Sequence, residues 1–115
     1  MDQKLRKRER ITRRKDIEHL FAEGTRCSRT VLRAAALRNG LDYSRLGVGP
    51  SSKLCNAVKR NRLKRLTREA FRLNKADLPT GLDLFVMPTR VKVTLAEVER
   101  DLVDAARELD RKLGT

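Results

Sequence analysis

One stretch decides how this chain is organised, and it reads RLGVGPSSKLCNAVKRNRLKRLTREAFR over residues 45–72. The stretch opens on a short apolar run, RLGVG, which predicts a strand that ends in a loop. After the loop the apolar residues recur at intervals of 3, 4 and 3, at Leu63, Leu66, Ala70 and Leu73. This is the spacing of one helix face, so it predicts a long helix over residues 56–74.

The face opposite that apolar stripe is cationic. At about 100° per residue, the side chains that share it are Arg60, Asn61, Lys64, Arg65, Arg68 and Arg72. Solvated helix surfaces usually pair both signs of charge, whereas Glu69 is the one acidic residue between positions 53 and 75. A row of Lys and Arg can instead follow a phosphate backbone, because each cation neutralises a phosphate and releases counterions. We therefore interpret this face as a surface that binds nucleic acid.

Two residues of the helix do not fit this division. Arg62 falls at the edge of the apolar stripe, so its side chain either extends past that edge to solvent or reaches a phosphate near the helix start. Phe71 falls on the cationic side. It either packs beneath another element, which is the alternative we favour, or offers its ring to a base.

The charge of the whole chain also indicates a polyanionic partner. The 115 residues contain 28 Lys and Arg against 15 Asp and Glu, which gives a net charge of +13. Residues 1–93 contain 24 basic and 9 acidic side chains, while residues 94–115 contain 4 and 6. Nucleic acid fits this distribution better than a membrane surface, because no helix has a bulky apolar face flanked by Trp.

The segments before the long helix predict an arm, a short helix and a hairpin. Residues 1–11 are polar and lack periodicity, so we expect a flexible basic arm. Helical spacing predicts a helix over residues 13–23 that ends with Gly24 at its C′ position, and its apolar residues are Ile17, Leu20 and Phe21. Asn39-Gly40 is a hairpin-turn dipeptide, so we expect its flanks, residues 29–38 and 43–49, to be paired strands.

The segments after the long helix predict a strand and a final helix. Residues 82–87, LDLFVM, form an apolar run of strand length without alternation, which is typical of an interior strand. The helix predicted over residues 94–113 has a regular apolar stripe, and Thr94 with Glu97 has the spacing of a capping box. At this length one domain is expected, residues 1–115, of mixed α+β class.

The residue types of an independent active site are scarce. The chain has one histidine, His19, and its two cysteines, Cys27 and Cys55, form no metal-binding or nucleophile pair. The carboxylates best placed for a nuclease metal, on the first helix, lie among cations. No apolar run reaches the roughly 18 residues of a membrane helix, and the charged N-terminus lacks the apolar stretch of a signal peptide. A reduced, cytoplasmic protein is therefore expected.

The triplet Arg60-Asn61-Arg62, followed by Lys64-Arg65 and Arg68-Glu69, resembles the motif of the protein subunit of bacterial ribonuclease P. The resemblance extends over nearly the whole chain and implies an α/β sandwich with three helices around a mostly antiparallel four-stranded sheet. A left-handed strand–helix–strand crossover would contain the basic helix. This fold requires one short strand beyond the three that the sequence pattern predicts.

The resemblance also implies a function. The family's enzyme is an endoribonuclease that removes the 5′ leader of precursor tRNA, and its catalyst is the partner RNA with magnesium ions. The protein alone is then expected to be inactive, with no catalytic residue, no metal site and no cofactor of its own. The residues that would bind the RNA subunit are Lys53, Asn56, Lys59, Arg60, Asn61, Arg62, Lys64, Arg65 and Arg68.

The resemblance further implies a cleft for the substrate leader between the sheet and the first helix, at Ile17 and Phe21. The family usually has two aromatic residues on this helix and another on the first strand, near Ala34 here. With fewer rings to stack on bases, leader binding is expected to depend more on charge.

Three other functions fit parts of the sequence. A ribosomal or general RNA-binding structural protein would have the same composition, and the context of the Arg60-Asn61-Arg62 triplet argues against it. A DNA-binding regulator would use residues 57–73 as a recognition helix, but it would need a helix and a turn before them. A stand-alone nuclease would cleave without an RNA partner. We expect neither DNA nor a membrane as a partner.

Overall fold

The computed structural model describes residues 5–50 and 53–114. In chain order its elements are α1 (Arg14–Glu23), β1 (Thr25–Ser28), β2 (Leu32–Arg38), β3 (Arg45–Val48), α2 (Ala57–Leu73), β4 (Leu82–Pro88) and α3 (Leu95–Leu113). The three predicted helices and the predicted interior strand are confirmed to within one residue at each end. The capping box of Thr94 and Glu97 is also confirmed, and it fixes the start of α3.

The four strands form one sheet in the order β1-β2-β4-β3. The β1–β2 and β2–β4 pairs are antiparallel, and β3 pairs with β4 in parallel. The helix α2 connects the two parallel strands, so the predicted strand–helix–strand crossover is present. The strand that only the family resemblance implied is β1, whose four residues bury a single side chain, Cys27. So short a strand leaves no periodic signal in the sequence.

The prediction of a hairpin around Asn39-Gly40 is wrong, although both of the predicted strands are present. Gly40 does adopt a turn conformation, with φ of 72°, and the Asn39 side chain accepts a hydrogen bond from the amide of Leu41 at 2.8 Å. The strands on either side nevertheless do not pair, because β4 lies between β2 and β3. A turn dipeptide determines only the local reversal of the chain. The apolar side chains on both faces of β4 favour its central place in the sheet.

One face of the sheet forms the main core with α2 and α3. The buried side chains of α2 include Leu63, Ala70 and Phe71, so the core position favoured for Phe71 is confirmed. The predicted stripe is rotated slightly, because Thr67 is buried whereas Leu73 is exposed. The Thr67 hydroxyl donates to the Leu63 carbonyl at 2.8 Å, which satisfies this polar group inside the core.

The other face of the sheet is covered only in part, by α1. Leu20 packs there against Ala35 of β2 and Phe85 of β4. Gly24 ends α1, but not with the left-handed conformation expected of a C′ residue, since its φ is −71°. Glycine is required there for a different reason: a Cβ atom would lie 2.3 Å from the Leu20 carbonyl oxygen.

The structure also locates much of the predicted arm, residues 1–11, of which residues 1–4 lie outside the described part. The remainder contacts the rest of the fold, at Glu9 and Ile11. Glu9 is buried and its carboxylate accepts a hydrogen bond from Lys75 at 2.7 Å. The Ile11 amide donates to β3 at 2.8 Å, and the Ile11 side chain is buried. These contacts join residues far apart in the sequence, so the local polarity of the arm did not reveal them.

Candidate nucleic-acid interface

The start of α2 is fixed by its own sequence. Asn56 is the N-cap, and its side-chain oxygen accepts a hydrogen bond from the Lys59 amide at 3.0 Å. Because the stripe from Leu63 to Phe71 is buried under the sheet, the opposite side of the helix faces solvent. We call this side the α2 surface, and we define it by Asn61, Lys64, Arg65 and Arg68.

The structure brings these four residues together as predicted. They line a shallow groove along the helix together with Val58. Asn61 and Arg65 are exposed, and Lys64 and Arg68 are half-buried. Lys53, Asn56 and Lys59 are exposed near the start of the helix. The fold therefore places the four residues of the α2 surface in one groove and leaves the three residues at the helix start exposed.

The charge on the α2 surface is only partly balanced. Burial lowers the pKa of the Arg68 guanidinium, and the nearby positive charge of Arg10 lowers it further. Arg72, which the sequence placed on this face, forms an ion pair with Glu69 instead. Since like charges at close range repel each other, an anion bound beside Arg10 and Arg68 would lower the energy of this surface.

The two arginines that flank Asn61 contact neighbouring loops. Arg60 donates to the Cys55 carbonyl at 2.8 Å. Arg62 donates to the carbonyls of Val91 and Val93, at 3.2 and 3.0 Å. The sequence offered only solvent or a phosphate as surroundings for Arg62. It missed this contact because the loop before α3 is about 30 residues away along the chain.

A second feature is a cleft of about 230 Å³ between α1 and the open face of the sheet. The rings of Phe21 and Phe85 meet edge to face, with centroids 4.9 Å apart and an interplanar angle of 60°. Of the two residues predicted for this cleft, Phe21 lines it, whereas Ile17 packs against the same cluster without lining the opening. The further lining side chains include Arg26, Arg33, Ala35, Phe85 and Met87.

Most of this lining was not indicated by the sequence. Phe85 and Met87 lie two residues apart on β4, so they share the sheet face opposite Leu84 and Val86. Register then sets Ala35 beside Phe85 and Arg33 beside Met87. The alternation of side chains along a strand could have indicated which residues of β2 and β4 share a face of the sheet. The pairing of β2 with β4, however, is not visible in the sequence.

Two glycines, one in the neighbouring strand β3 and one just after it, leave space for the Phe85 ring. A Cβ atom at Gly47 would lie 2.9 Å from the ring, and one at Gly49 would lie 2.7 Å from it. Both distances are shorter than side chains tolerate, so the ring occupies the space that a larger residue would fill. The glycines thereby place Phe85 within reach of Phe21.

No group of three or more His, Cys, Asp and Glu side chains is close enough to hold a metal ion in residues 5–50 and 53–114. Burial raises the pKa of the Cys27 thiol, which makes it a poor nucleophile. His19 is exposed on α1. In the same described ranges, no helix has the length and apolar character needed to cross a membrane.

Comparison with known proteins agrees with this arrangement. A model of the Ribonuclease P family matches residues 5–110. The ribonuclease P protein component of Thermotoga maritima is 40% identical over 90 residues, which cover 78% of this chain and 77% of the relative. The corresponding protein of Oleidesulfovibrio alaskensis is 39% identical over 106 residues, covering 87% and 85%.

Solved structures show the same fold. The RNase P protein from Thermotoga maritima superposes with a TM-score of 0.81 at 33% identity, covering 89% of this chain and 98% of that one. The Staphylococcus aureus RNase P protein gives a TM-score of 0.76 at 26% identity, covering 87% and 94%. The predicted α+β fold and the resemblance seen in the sequence are thus confirmed. The chain belongs to the ribonuclease P protein family, and its relatives are the protein subunit of that endoribonuclease.

Proposed function

We propose that this protein binds the catalytic RNA subunit of ribonuclease P through the α2 surface. The observation that supports this most directly is the row of cations held on the solvent side of α2 by burial of its opposite stripe. Arginine suits such a role because its planar donors match phosphate oxygens in pairs. The proposed contacts to the RNA subunit are Lys53, Asn56, Lys59, Arg60, Asn61, Lys64, Arg65 and Arg68. Arg62 lies beside these residues, and its terminal nitrogens donate to two loop carbonyls.

The cleft between α1 and the sheet is proposed to bind the 5′ leader of precursor tRNA. Its aromatic pair offers a stacking surface for a base, through Phe21 and Phe85. Arg26 and Arg33 line the same cleft and supply positive charge for the leader backbone. Only one ring comes from α1, so charge contributes more to leader binding than it would with two.

In this proposal the partner RNA performs the chemistry with magnesium ions, and the protein positions the two RNA molecules. The chain's cations and added magnesium have one effect in common, because both reduce repulsion between RNA phosphates. The protein should therefore matter most when magnesium is scarce. By itself it should not cleave precursor tRNA.

The test is single-turnover cleavage of precursor tRNA by the cognate RNA subunit at low magnesium, with and without the protein. The wild-type protein should accelerate cleavage, and Arg65→Glu should lose most of this acceleration. Arg111→Glu is the matched control, because Arg111 is an exposed cation in the last turn of α3. A protein that binds unrelated RNA equally well without accelerating cleavage would be a general RNA-binding protein, and the proposal would be wrong.

A further inference from the structure

A second groove lies between the start of α2 and the loop that joins β4 to α3. Its volume is about 670 Å³, and we call it the loop groove. The polar side chains that line it are Asn56, Lys59, Arg62, Lys92 and Thr94. Lys92 belongs to the loop and is exposed. It is not among the residues that the sequence indicated for RNA binding.

Arg62 contacts the loop on either side of Lys92. The two terminal nitrogens of Arg62 donate to the carbonyls of Val91 and Val93, which are the residues on either side of Lys92. This fork ties the loop backbone to α2. The loop has no regular secondary structure of its own between β4 and α3. Its next fixed points are the buried side chain of Val93 and the N-cap Thr94.

The charge of the loop groove is positive. Lys59, Arg62 and Lys92 line it, and none of the side chains described as lining it is acidic. Both α2 and α3 begin at this groove, with the caps Asn56 and Thr94 in its wall. The partial positive charge of each helix start adds to that of the cations. The nearest acidic side chain along α3, Glu97, is engaged in the capping box.

We propose that the loop groove binds a backbone phosphate of the RNA subunit through Lys92 and Lys59, and that Arg62 is a positioning residue that holds Lys92 in place. This inference rests on the proposed function, since it extends the RNA-binding surface from α2 to the loop before α3. Arg62 has five N–H donors, and both of its terminal nitrogens already donate to loop carbonyls, those of Val91 and Val93. This pairing supports a positioning role for Arg62.

The positive charge of the loop groove and its position beside other proposed RNA contacts favour the RNA subunit as its partner. Asn56 and Lys59 line the loop groove and are also among the proposed contacts to the RNA subunit, so the groove is continuous with that proposed interface at the start of α2. A phosphate bound at Lys59 would therefore lie in the same groove as Lys92. The leader cleft lies on the other face of the sheet, beneath α1.

The first experiment measures binding of the cognate RNA subunit as a function of salt. Lys92→Ala should weaken binding several-fold and reduce the slope of log K against log salt by about 0.7–0.9, which is one phosphate contact. The control is Arg111→Ala, which removes the same charge about 24 Å away along α3 at 1.5 Å per residue. If Lys92→Ala and Arg111→Ala have equal affinities and slopes, the loop groove does not bind the RNA subunit.

The second experiment tests the role of Arg62 with a double-mutant cycle. Arg62→Ala should reduce the salt slope as Lys92→Ala does, and it should add little when Lys92 is already Ala. Arg62→Lys should behave like Arg62→Ala, because one ammonium group does not reproduce the fork to two carbonyls. Additive effects, together with full affinity for Arg62→Lys, would show that Arg62 contacts a phosphate directly. The positioning role would then be wrong.

A third measurement needs no variant. Acetylation of lysines in the wild-type protein, read by mass spectrometry, should be slower at Lys92 and Lys59 in the complex than in the free protein. Lys112, which is paired with Glu108, should react equally in both states. Equal rates at Lys92 with and without the RNA subunit would contradict the inference.

The source of the phosphate is distinguished by adding precursor tRNA in place of the RNA subunit. Protection of Lys92 by precursor tRNA alone would assign the groove to the substrate and overturn the assignment to the RNA subunit. If the wild-type protein fails to accelerate cleavage, the proposed function fails. If it accelerates cleavage while Lys92→Ala matches Arg111→Ala, only the present inference fails.

Discussion

The Phe21 side chain both packs inside the fold and lines the cleft beside α1. Its ring is half-buried, so one edge packs on Phe85 while part of the ring remains open to the cleft. Leu20, the neighbouring residue, is only 2% exposed and belongs fully to the packing beneath α1. The two residues therefore allow the proposed leader binding to be tested separately from stability.

We expect Phe21→Ala to weaken binding of precursor tRNA to the holoenzyme much more than binding of mature tRNA. The lost stacking is about 1–3 kcal/mol, or a roughly 5- to 150-fold loss of affinity for the precursor. The aromatic pair contributes about 0.5–1.5 kcal/mol to the free energy of unfolding. Binding titrations with both tRNAs measure the discrimination.

Leu20→Ala serves as the control for that prediction. It should lower the free energy of unfolding by about 2–5 kcal/mol and leave the discrimination intact in the folded protein. If Phe21→Ala lowers the melting temperature but preserves the ratio of precursor to mature affinity, Phe21 is a packing residue only.

Glu9 is the second residue whose surroundings define a measurable property. Burial opposes its ionisation, but hydrogen bonds from Lys75 and from the Arg6 amide outweigh burial, aided by the charges of Lys75 and Arg8. The pKa of Glu9 therefore lies below its ordinary value of 4.5. Since the folded pKa is lower than the unfolded one, ionised Glu9 stabilises the fold above about pH 4.5. This contribution is lost as the pH falls through the folded pKa.

We expect Glu9→Gln to lower the free energy of unfolding at pH 6, and this difference from wild type should shrink as the pH falls below 4.5. Urea denaturation at pH 6, 4.5 and 3.5 measures the difference. A difference that is the same at all three values would show that the charge of Glu9 does not stabilise the fold.

Among the helices, α2 is destabilised by repulsion between the cations on its exposed side. Arg60, Lys64, Arg68 and Arg72 follow one another at intervals of four residues along the helix. Like charges at this spacing destabilise a helix by about 0.2–0.5 kcal/mol per pair. Only Arg72 has an acidic partner on the helix, Glu69, among the ion pairs of the described residues. The helix is held by its buried stripe instead.

Lys64→Gln should therefore change stability and binding in opposite directions. Removing this cation relieves repulsion with Arg60 and Arg68, so the melting temperature should rise slightly at low salt, and the rise should vanish at high salt. Affinity for the RNA subunit should fall, with a salt slope smaller by about 0.7–0.9. Thermal melts and binding titrations over the same salt series check both effects.

The matched control on α3 is Arg111→Gln. It should leave the affinity for the RNA subunit and its salt slope unchanged. If Lys64→Gln binds the RNA subunit with an unchanged slope, the α2 surface does not contact a phosphate at Lys64.

At the scale of the whole molecule, the sheet separates two tasks. One of its faces is buried under α2 and α3 and provides the stability of the domain. Its other face remains open beside α1 and forms the cleft. The solvent side of α2 is a third surface, so the proposed contacts with the RNA subunit and with the leader do not compete for the same residues.

No single acidic, histidine or cysteine side chain should be essential for the cleavage step. The residues to change one at a time to Ala are Asp16, Glu18, His19, Glu23, Cys27 and Cys55. Each variant should leave single-turnover cleavage by the holoenzyme within about tenfold of wild type, near 1.4 kcal/mol of barrier. Losing a true general base would usually cost about 10²–10⁴-fold.

The isolated protein should show no cleavage at any magnesium concentration. A variant among these six that abolishes cleavage, while assembly and substrate affinity stay normal, would place part of the active site on this chain. Measurements of binding and of single-turnover rates on the same samples separate the two cases.

The features that could be predicted from local sequence patterns are those that repeat within a few residues. The buried stripe and cationic side of α2, the capping box at Thr94 and the apolar run of β4 follow from helical or strand periodicity and from local hydrogen bonds. They were predicted because each residue there meets neighbours three or four positions away along its own element. The motif around Asn61 also gave the family, since its residue types are contiguous.

Which elements meet depends on contacts between distant parts of the chain. The tertiary structure placed β4 between β2 and β3, set Phe85 beside Phe21, and gave Arg62 two carbonyls of a distant loop as partners. Such contacts depend on the packing of the whole chain, in which many weak burial and pairing energies add up. A turn dipeptide at Asn39-Gly40 contributes only one of these energies. The sheet order therefore followed the burial of β4, not the local signal for a hairpin.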